Sequence, residues 1–225
     1  MTHSRIRIIA GTGRYTDPWH PFAETARCMA DLLGEAGHKV EIAESTPEAF
    51  TELTDTDLVV INCGGNPEVE LAPEPIWQQS FQAFERWLGS GHPVLGVHAA
   101  SNAFPDWPAW PELLGGRWVR GRSHHPPRTE FTFKVPPAGR DHPALGGLTH
   151  VSVLDERYSE LDVSADAVPL LQHRFDDKDQ VMAWALQRDG RKTVYDGLGH
   201  DAQSFASADR RRLLTAEVGW LLASD

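Results

Sequence analysis

The sequence contains little cysteine: Cys28 and Cys63 are the two cysteines among 225 residues. They fall on different predicted elements, so they indicate no disulfide framework and favour a reducing compartment. Long apolar runs are also missing. The first run, at residues 6–10, is too short for a signal-peptide core, and none approaches the roughly 20 residues that span a bilayer. We therefore expect a cytoplasmic protein that has no membrane partner.

Positive charge is scarce as well, because 21 Lys and Arg residues stand against 32 Asp and Glu residues and the net charge is -11. Nucleic-acid-binding surfaces need clustered basic residues, so we expect no nucleic-acid partner. The basic run Arg210-Arg211-Arg212 precedes Leu213, and we interpret it as the solvated first turn of a helix. A small-molecule substrate remains as the expected partner. A homodimer is also expected, because dimers are common among proteins with such folds.

Strand and helix patterns alternate through the first half of the chain. Apolar runs at 5–10 and 57–63 end at glycine and predict strands, and helical spacing predicts helices over 21–37 and 76–88. This alternation predicts βαβ units and a parallel sheet. Further strands are predicted at 93–97, 129–135, 151–154, 168–175, 181–187 and 192–198, and a closing helix is predicted to start at the cap residue Ser207. No linker is visible, so residues 1–225 are predicted to form a single domain.

The most informative segment is Gly96-Val97-His98-Ala99-Ala100, which follows a short apolar run. A buried strand that turns sharply into a helix, with small flanking residues, is the arrangement that presents a nucleophile in many α/β enzymes. Here the corner carries His98 in place of serine or cysteine. The segment therefore indicates a catalytic scaffold without its usual nucleophile.

Polar residues recur where predicted strands end. Open α/β sheets bind ligands beyond the carboxyl ends of their strands, so residues at these ends are site candidates. His20 lies in the loop after the first strand, Asn62 ends the third, His98 follows the fourth, and His200 and Asp201 follow the last. This convergence predicts a site at one edge of the sheet.

Two kinds of site explain these residues. A divalent metal such as zinc could be held by His98, His200 and the pair His124-His125, with Asp155 or Glu156 as a carboxylate ligand. A metal-free site, with histidine and carboxylate as acid and base, explains the same residues. No contiguous zinc motif decides between them.

Several short motifs follow one another in a specific order. They are 57–65, Gly96 to Ala100, Leu114-Gly115-Gly116-Arg117-Trp118 with His124 or His125 after it, His142-Pro143, Asp155-Glu156-Arg157-Tyr158, Ala183-Trp184 and Gly199-His200-Asp201. Their order resembles the ThuA-like (trehalose utilisation) family, whose fold resembles the class I glutamine amidotransferases. The resemblance covers essentially the whole chain. It implies a flavodoxin-like, three-layer α/β fold with a mostly parallel central sheet, a link to sugar metabolism, and a site that includes His98, Asp155-Glu156, Tyr158 and His200.

The leading functional hypothesis is an enzyme, a hydrolase or a lyase, that acts on a carbohydrate or a related polyhydroxylated molecule. His98, His200 and Glu156 would be acid/base groups or metal ligands, and Tyr158 would donate a hydrogen bond to substrate. The expected substrate-binding residues are His20, Asn62, Trp107 and Asp201. Glutamine amidotransferase activity is not expected, because His98 stands in the place of the cysteine that this chemistry needs. The alternative is a non-catalytic binding module on the same scaffold.

Overall fold

A computed structural model describes residues 3–224. The strands are β1 (Arg5–Ala10), β2 (Lys39–Glu44), β3 (Leu58–Asn62), β4 (Val94–Val97), β5 (Gly116–Arg117), β6 (Thr129–Lys134), β7 (His150–Asp155), β8 (Asp162–Val163), β9 (Val168–Phe175), β10 (Lys178–Arg188) and β11 (Arg191–Asp196). The helices are α1 (Phe22–Glu35), α2 (Pro75–Gly89), α3 (Trp110–Leu114) and α4 (Ala208–Leu222). Within the described residues no helix is long and apolar enough to cross a membrane.

A nine-stranded sheet in the order β2-β1-β3-β4-β11-β10-β9-β6-β7 forms the centre of the protein. The strands from β2 to β11 run parallel, as the alternating pattern predicts. From β11 onwards every neighbouring pair is antiparallel. The antiparallel extension comes from the second half of the chain, where short turns join β9 to β10 and β10 to β11 and no α-helix lies between β6 and β11.

Helices cover the parallel part of the sheet on both faces. Side chains alternate along a strand, so Ile8 and Ile9 of β1 enter two different cores. Ile8 packs in the core that contains apolar residues of α1 and α4, and Ile9 packs in the core that contains the aromatic residues of α2 and α3. These are the three layers that the family resemblance implies.

The predicted elements are mostly confirmed, with differences at Arg210 and after His98. Ser207 caps α4, since its hydroxyl accepts a hydrogen bond from the Arg210 backbone N–H. The expected solvated turn is wrong for Arg210, whose side chain is fully buried against Asp196. After His98 the chain forms a 3-10 turn, His98–Asn102, in place of a regular helix.

Candidate functional site

Four ends of strands meet at one edge of the sheet. Asp17 and His20 follow β1, His98 follows β4, Glu156 follows β7 and His200 follows β11. Although β7 is the last strand of the sheet, the successive antiparallel pairs direct its carboxyl end to the same edge as those of β4 and β11. The strand-end rule applied to the sequence therefore brings together His20, His98 and His200, and Glu156 completes the group.

His98 has a strained backbone at the centre of the site. Its φ of 49° lies in the left-handed region that non-glycine residues seldom occupy. The imidazole is held at both nitrogens: Nδ1 lies 2.6 Å from the Gly197 carbonyl oxygen, and Nε2 lies 2.8 Å from the Tyr158 hydroxyl. The carbonyl is only an acceptor, so Nδ1 keeps its hydrogen. Proton exchange at His98 must therefore occur at Nε2.

Asp155 positions the site and does not face it. Its side chain is fully buried and accepts hydrogen bonds from the backbone N–H of Gly199 at 2.7 Å and the hydroxyl of Ser204 at 2.6 Å. It also accepts from the N–H of Glu156 at 2.8 Å. These bonds tie the end of β7 to the segment after β11. Of the two carboxylates that the sequence left open, Glu156 is the one that faces the histidines.

Glu156 is the carboxylate that contacts the histidines. Its two oxygens lie 3.4 Å from His98 Nε2 and 3.3 Å from His200 Nδ1, and His125 Nδ1 is 3.6 Å away. Burial acts to raise the pKa of Glu156, but the neighbouring His200 and His98 outweigh burial and lower the pKa. Burial acts to lower the pKa of His98, and its interactions with Glu156 and Asp155 outweigh that effect and raise it. The pair thus favours carboxylate beside imidazolium.

His20 is anchored by Asp17 from the other side of the site. Its Nδ1 lies 2.8 Å from both Asp17 carboxylate oxygens. Asp17 is itself buried and also accepts hydrogen bonds from the backbone N–H groups of Trp19 and His20. The imidazole of His20 lies with its ring centroid 4.9 Å from that of His98 and 5.0 Å from that of His200. The sequence placed His20 among substrate-binding residues, and here it joins the histidine group directly.

A cavity of about 570 Å³ opens onto this group. Its lining combines the acid/base side chains with two tryptophans and small polar residues. The lining residues are Asp17, Trp19, His20, Pro67, Ala99, Ser101, Asn102, Trp118, His125, Glu156, Tyr158 and His200. Trp118, whose ring packs edge-on against Tyr158 at 4.8 Å, was not singled out from the sequence as a site residue. The sequence feature that could have identified Trp118 is its place in the Gly116-Arg117-Trp118 motif.

Four residues assigned from the sequence lie elsewhere. Trp107 is buried and stacks on Phe81 with ring centroids 4.4 Å apart, so it fills the core and does not line the cavity. Asn62 is buried and donates to the Phe22 carbonyl at 2.9 Å. Asp201 is paired with Arg128 outside the cavity lining. His124 pairs through its backbone with Ser159 and places its ring against Phe175, away from the histidine group. Of the expected histidine pair, only His125 reaches the cavity.

A family model described as ThuA, trehalose utilisation, matches residues 8–221. The chain belongs to the ThuA family. The family resemblance in the sequence is thereby confirmed. No curated protein matches the sequence.

Solved structures of low sequence identity share this ThuA-family fold. A ThuA-like protein from Parabacteroides merdae is 16% identical with a TM-score of 0.81, over 99% of this chain and 91% of that one. A cytoplasmic protein from Salmonella typhimurium is 13% identical with a TM-score of 0.63, over 96% and 98%. A glutamine amidotransferase from Thermotoga maritima is 15% identical with a TM-score of 0.50, over 86% and 75%. The predicted fold class is confirmed.

Proposed function

We propose that this ThuA-family protein is an enzyme that acts on a carbohydrate or a related small polyhydroxylated molecule by acid/base chemistry. The observation that carries the proposal is the cavity that opens onto Glu156, His200 and Tyr158, with His98 directly behind them. A concave site with convergent titratable groups of shifted pKa is the usual form of an enzyme active site. The family description, trehalose utilisation, supports a sugar as the class of substrate.

The proton would move between the substrate and His98. Because the pKa of Glu156 is lowered, Glu156 is a carboxylate and a weak base at neutral pH; it stabilises the charged form of His98 and orients the substrate or a water molecule beside it. His98, with its raised pKa and its Nδ1 held by Gly197, donates or recovers a proton at Nε2. Burial raises the pKa of Tyr158, so its phenol keeps its hydrogen and can donate to a substrate oxygen. Hydrolysis, elimination and proton transfer next to a carbonyl each use positioned acid/base groups of this kind.

We further propose that the substrate is uncharged. Among the described residues that line the cavity none is Lys or Arg, whereas Asp17 and Glu156 are carboxylates. Phosphate and carboxylate ligands are usually met by Arg or Lys. The tryptophans Trp19 and Trp118 supply apolar faces of the kind that cover the C–H face of a sugar ring. Sugar phosphates and sugar acids are therefore expected to bind weakly.

Glutaminase activity is not proposed. The turn that holds the nucleophilic cysteine in an amidotransferase is occupied here by His98. Burial raises the pKa of the Cys63 thiol, which is fully buried and donates to the Ile9 carbonyl in the core. A buried neutral thiol is a poor nucleophile.

A substrate panel tests the proposal. Neutral sugars, oxidised keto-sugars, sugar acids and sugar phosphates are each incubated with the purified chain, and turnover is followed by proton NMR. We expect turnover of a neutral member, lost in Glu156→Gln and kept in Glu130→Gln, which changes an exposed carboxyl on β6. Binding without turnover of any member would favour the binding-module alternative. Turnover that survives Glu156→Gln would overturn the acid/base assignment.

The proposed place of action is the cytoplasm. Both cysteines are free, as expected in a reducing compartment, and the Salmonella structure with the same fold is of a cytoplasmic protein. The homodimer suggested by frequency stays a prediction.

A further inference from the structure

We propose that His20, His98, Glu156 and His200 together bind one divalent transition-metal ion. One nitrogen from each histidine and one oxygen from Glu156 all lie within 4.8 Å of one another. The proposal rests on the proposed function, since the ion would lie at the same group. Bound at His98 Nε2, it would supply the activation of water or of a carbonyl in place of proton exchange at that atom. The test of metal binding needs no substrate. The proposal also changes the ligand set expected from the sequence, because His20 takes the place of the pair His124-His125, while Glu156 is one of the two carboxylates named there.

The distances within the group match a shared ion better than direct hydrogen bonds. Hydrogen bonds between a carboxylate and a charged nitrogen are about 2.7–2.9 Å long, whereas Glu156 lies 3.4 Å from His98 Nε2 and 3.3 Å from His200 Nδ1. Two ligand atoms that are each about 2.1 Å from a tetrahedral ion lie roughly 3.4 Å apart. His98 Nε2 and His200 Nδ1 therefore each lie at the spacing of a neighbouring ligand from one oxygen of Glu156, Oε2 and Oε1 respectively.

The spacing of the three imidazole rings leads to the same conclusion. Their centroids are 4.9 Å apart for His20 and His98, 5.0 Å for His20 and His200, and 5.4 Å for His98 and His200. Three imidazoles bound through one nitrogen each to a tetrahedral ion would have centroids roughly 5 Å apart. The planes of each pair are inclined by 70° or more, so the rings are not stacked on one another.

Hydrogen bonds outside the group already set the nitrogens for metal binding. His20 Nδ1 is engaged by Asp17, and His98 Nδ1 is engaged by the Gly197 carbonyl. Each bond leaves Nε2 as the nitrogen available to an ion, which is the usual arrangement around metal-binding histidines. His200 Nδ1 is buried and has no hydrogen-bond partner among the described residues. An ion would satisfy this orphaned atom, and Tyr158 would turn its hydroxyl from His98 to a ligand in the cavity.

The donor set selects the class of ion. Three imidazoles and one carboxylate suit zinc and the neighbouring first-row divalent ions, whereas Ca²⁺ and Mg²⁺ prefer oxygen ligands. The side chains of His20, Glu156 and His200 are 10–19% exposed, so the cavity gives an ion a route of entry.

Titration of the full, untagged chain with Zn²⁺ or Co²⁺ alone, after chelator treatment, tests the proposal. We expect one ion per chain after desalting, a rise in Tm, and visible cobalt absorption typical of nitrogen ligands. His200→Ala and His20→Ala should each weaken the affinity by at least about 100-fold. Asp17→Asn, which loosens the support of His20, should weaken it by about 10-fold. If either His200→Ala or His20→Ala does not fold, the metal affinity of the other variant still tests the proposal.

A histidine close by in the same chain provides the matched control. His124→Ala should keep the affinity within about twofold, because the ring of His124 lies against Phe175 and does not belong to the group. No stoichiometric ion in the wild type, or an equal loss in His124→Ala and His200→Ala, would overturn the proposal. Sugar turnover by a wild-type protein that binds no stoichiometric ion would overturn the metal assignment and leave the proposed acid/base function standing.

Discussion

Two clusters of buried charge lie at the same end of β11, and only one of them opens onto a cavity. Glu156 and the three histidines face the cavity of about 570 Å³. On the other side of the Gly197 segment, Asp196 and Arg210 form a fully buried ion pair at 2.9 Å, with Glu217 beside them on α4. Burial and shifted pKa values alone do not separate a functional cluster from a structural one. Access from a cavity separates the functional cluster from the structural one, and paired substitutions test that distinction.

The largest expected effect is on stability in the sealed cluster. Arg210→Met leaves Asp196 buried without its partner, which should lower the free energy of unfolding by about 3–5 kcal/mol. Arg211→Met is the matched control, since Arg211 pairs with Glu35 on the surface at 3.0 Å and should cost at most about 1 kcal/mol. Urea denaturation measures both. Equal losses of unfolding free energy in the two variants would show that the buried pair stabilises the fold no more than the surface pair does.

A pair of tryptophans extends the comparison to the aromatic residues. Trp107→Ala should cost about 3–5 kcal/mol of stability, because the ring is packed between Phe81 and Trp110 in the core. Trp19→Ala should leave stability nearly unchanged, since the side chain is half exposed at the cavity. It should weaken sugar binding by about 3–10-fold, or ~0.5–1.5 kcal/mol. A Trp19 variant that unfolds the protein but binds sugar normally would reverse these roles.

The smallest predicted effect is a dependence of stability on pH from Glu217. Burial, and then the charge of Asp196, raise the pKa of Glu217 well above its ordinary value despite Arg210. The neutral acid is thus favoured in the folded protein. Its contribution to stability is full below the unfolded pKa of about 4.3 and is lost as pH rises towards the folded pKa.

Glu217→Gln removes this titration, so the variant should gain stability relative to the wild type as pH rises from about 5 to 8. Urea midpoints at several pH values measure the difference. A difference that does not change with pH would contradict the raised pKa of Glu217.

The sequence carried most of the fold and the position of the site, because both depend on local patterns. Alternating elements predict the parallel half of the sheet, and the strand-end rule locates His20, His98 and His200. The family resemblance named Glu156, but local patterns do not predict its contacts with the histidines across the sheet. The position of Glu156 relative to the histidines depends on where β7 ends at the edge of the sheet. That position is set by the register of several antiparallel strand pairs.

Arg210 and Trp107 show a second limit of sequence patterns. An arginine in a basic run usually faces solvent, and nothing local reveals that Asp196 lies beneath α4. Trp107 lies in a proline-rich loop that resembles an exposed segment, yet its ring completes the aromatic core around Phe81 and Phe104. Both assignments required a partner distant in sequence.

The most direct test makes the same substitution in both clusters. Glu156→Gln and Glu217→Gln each replace one buried carboxyl by an amide, and kcat for the neutral sugar found in the substrate panel is measured for both at neutral pH. The account predicts a loss of about 10²–10⁴-fold for Glu156→Gln and a change within about twofold for Glu217→Gln, with both variants folded. Equal losses, or a larger loss for Glu217→Gln, would contradict the claim that the cluster at the cavity is the functional site.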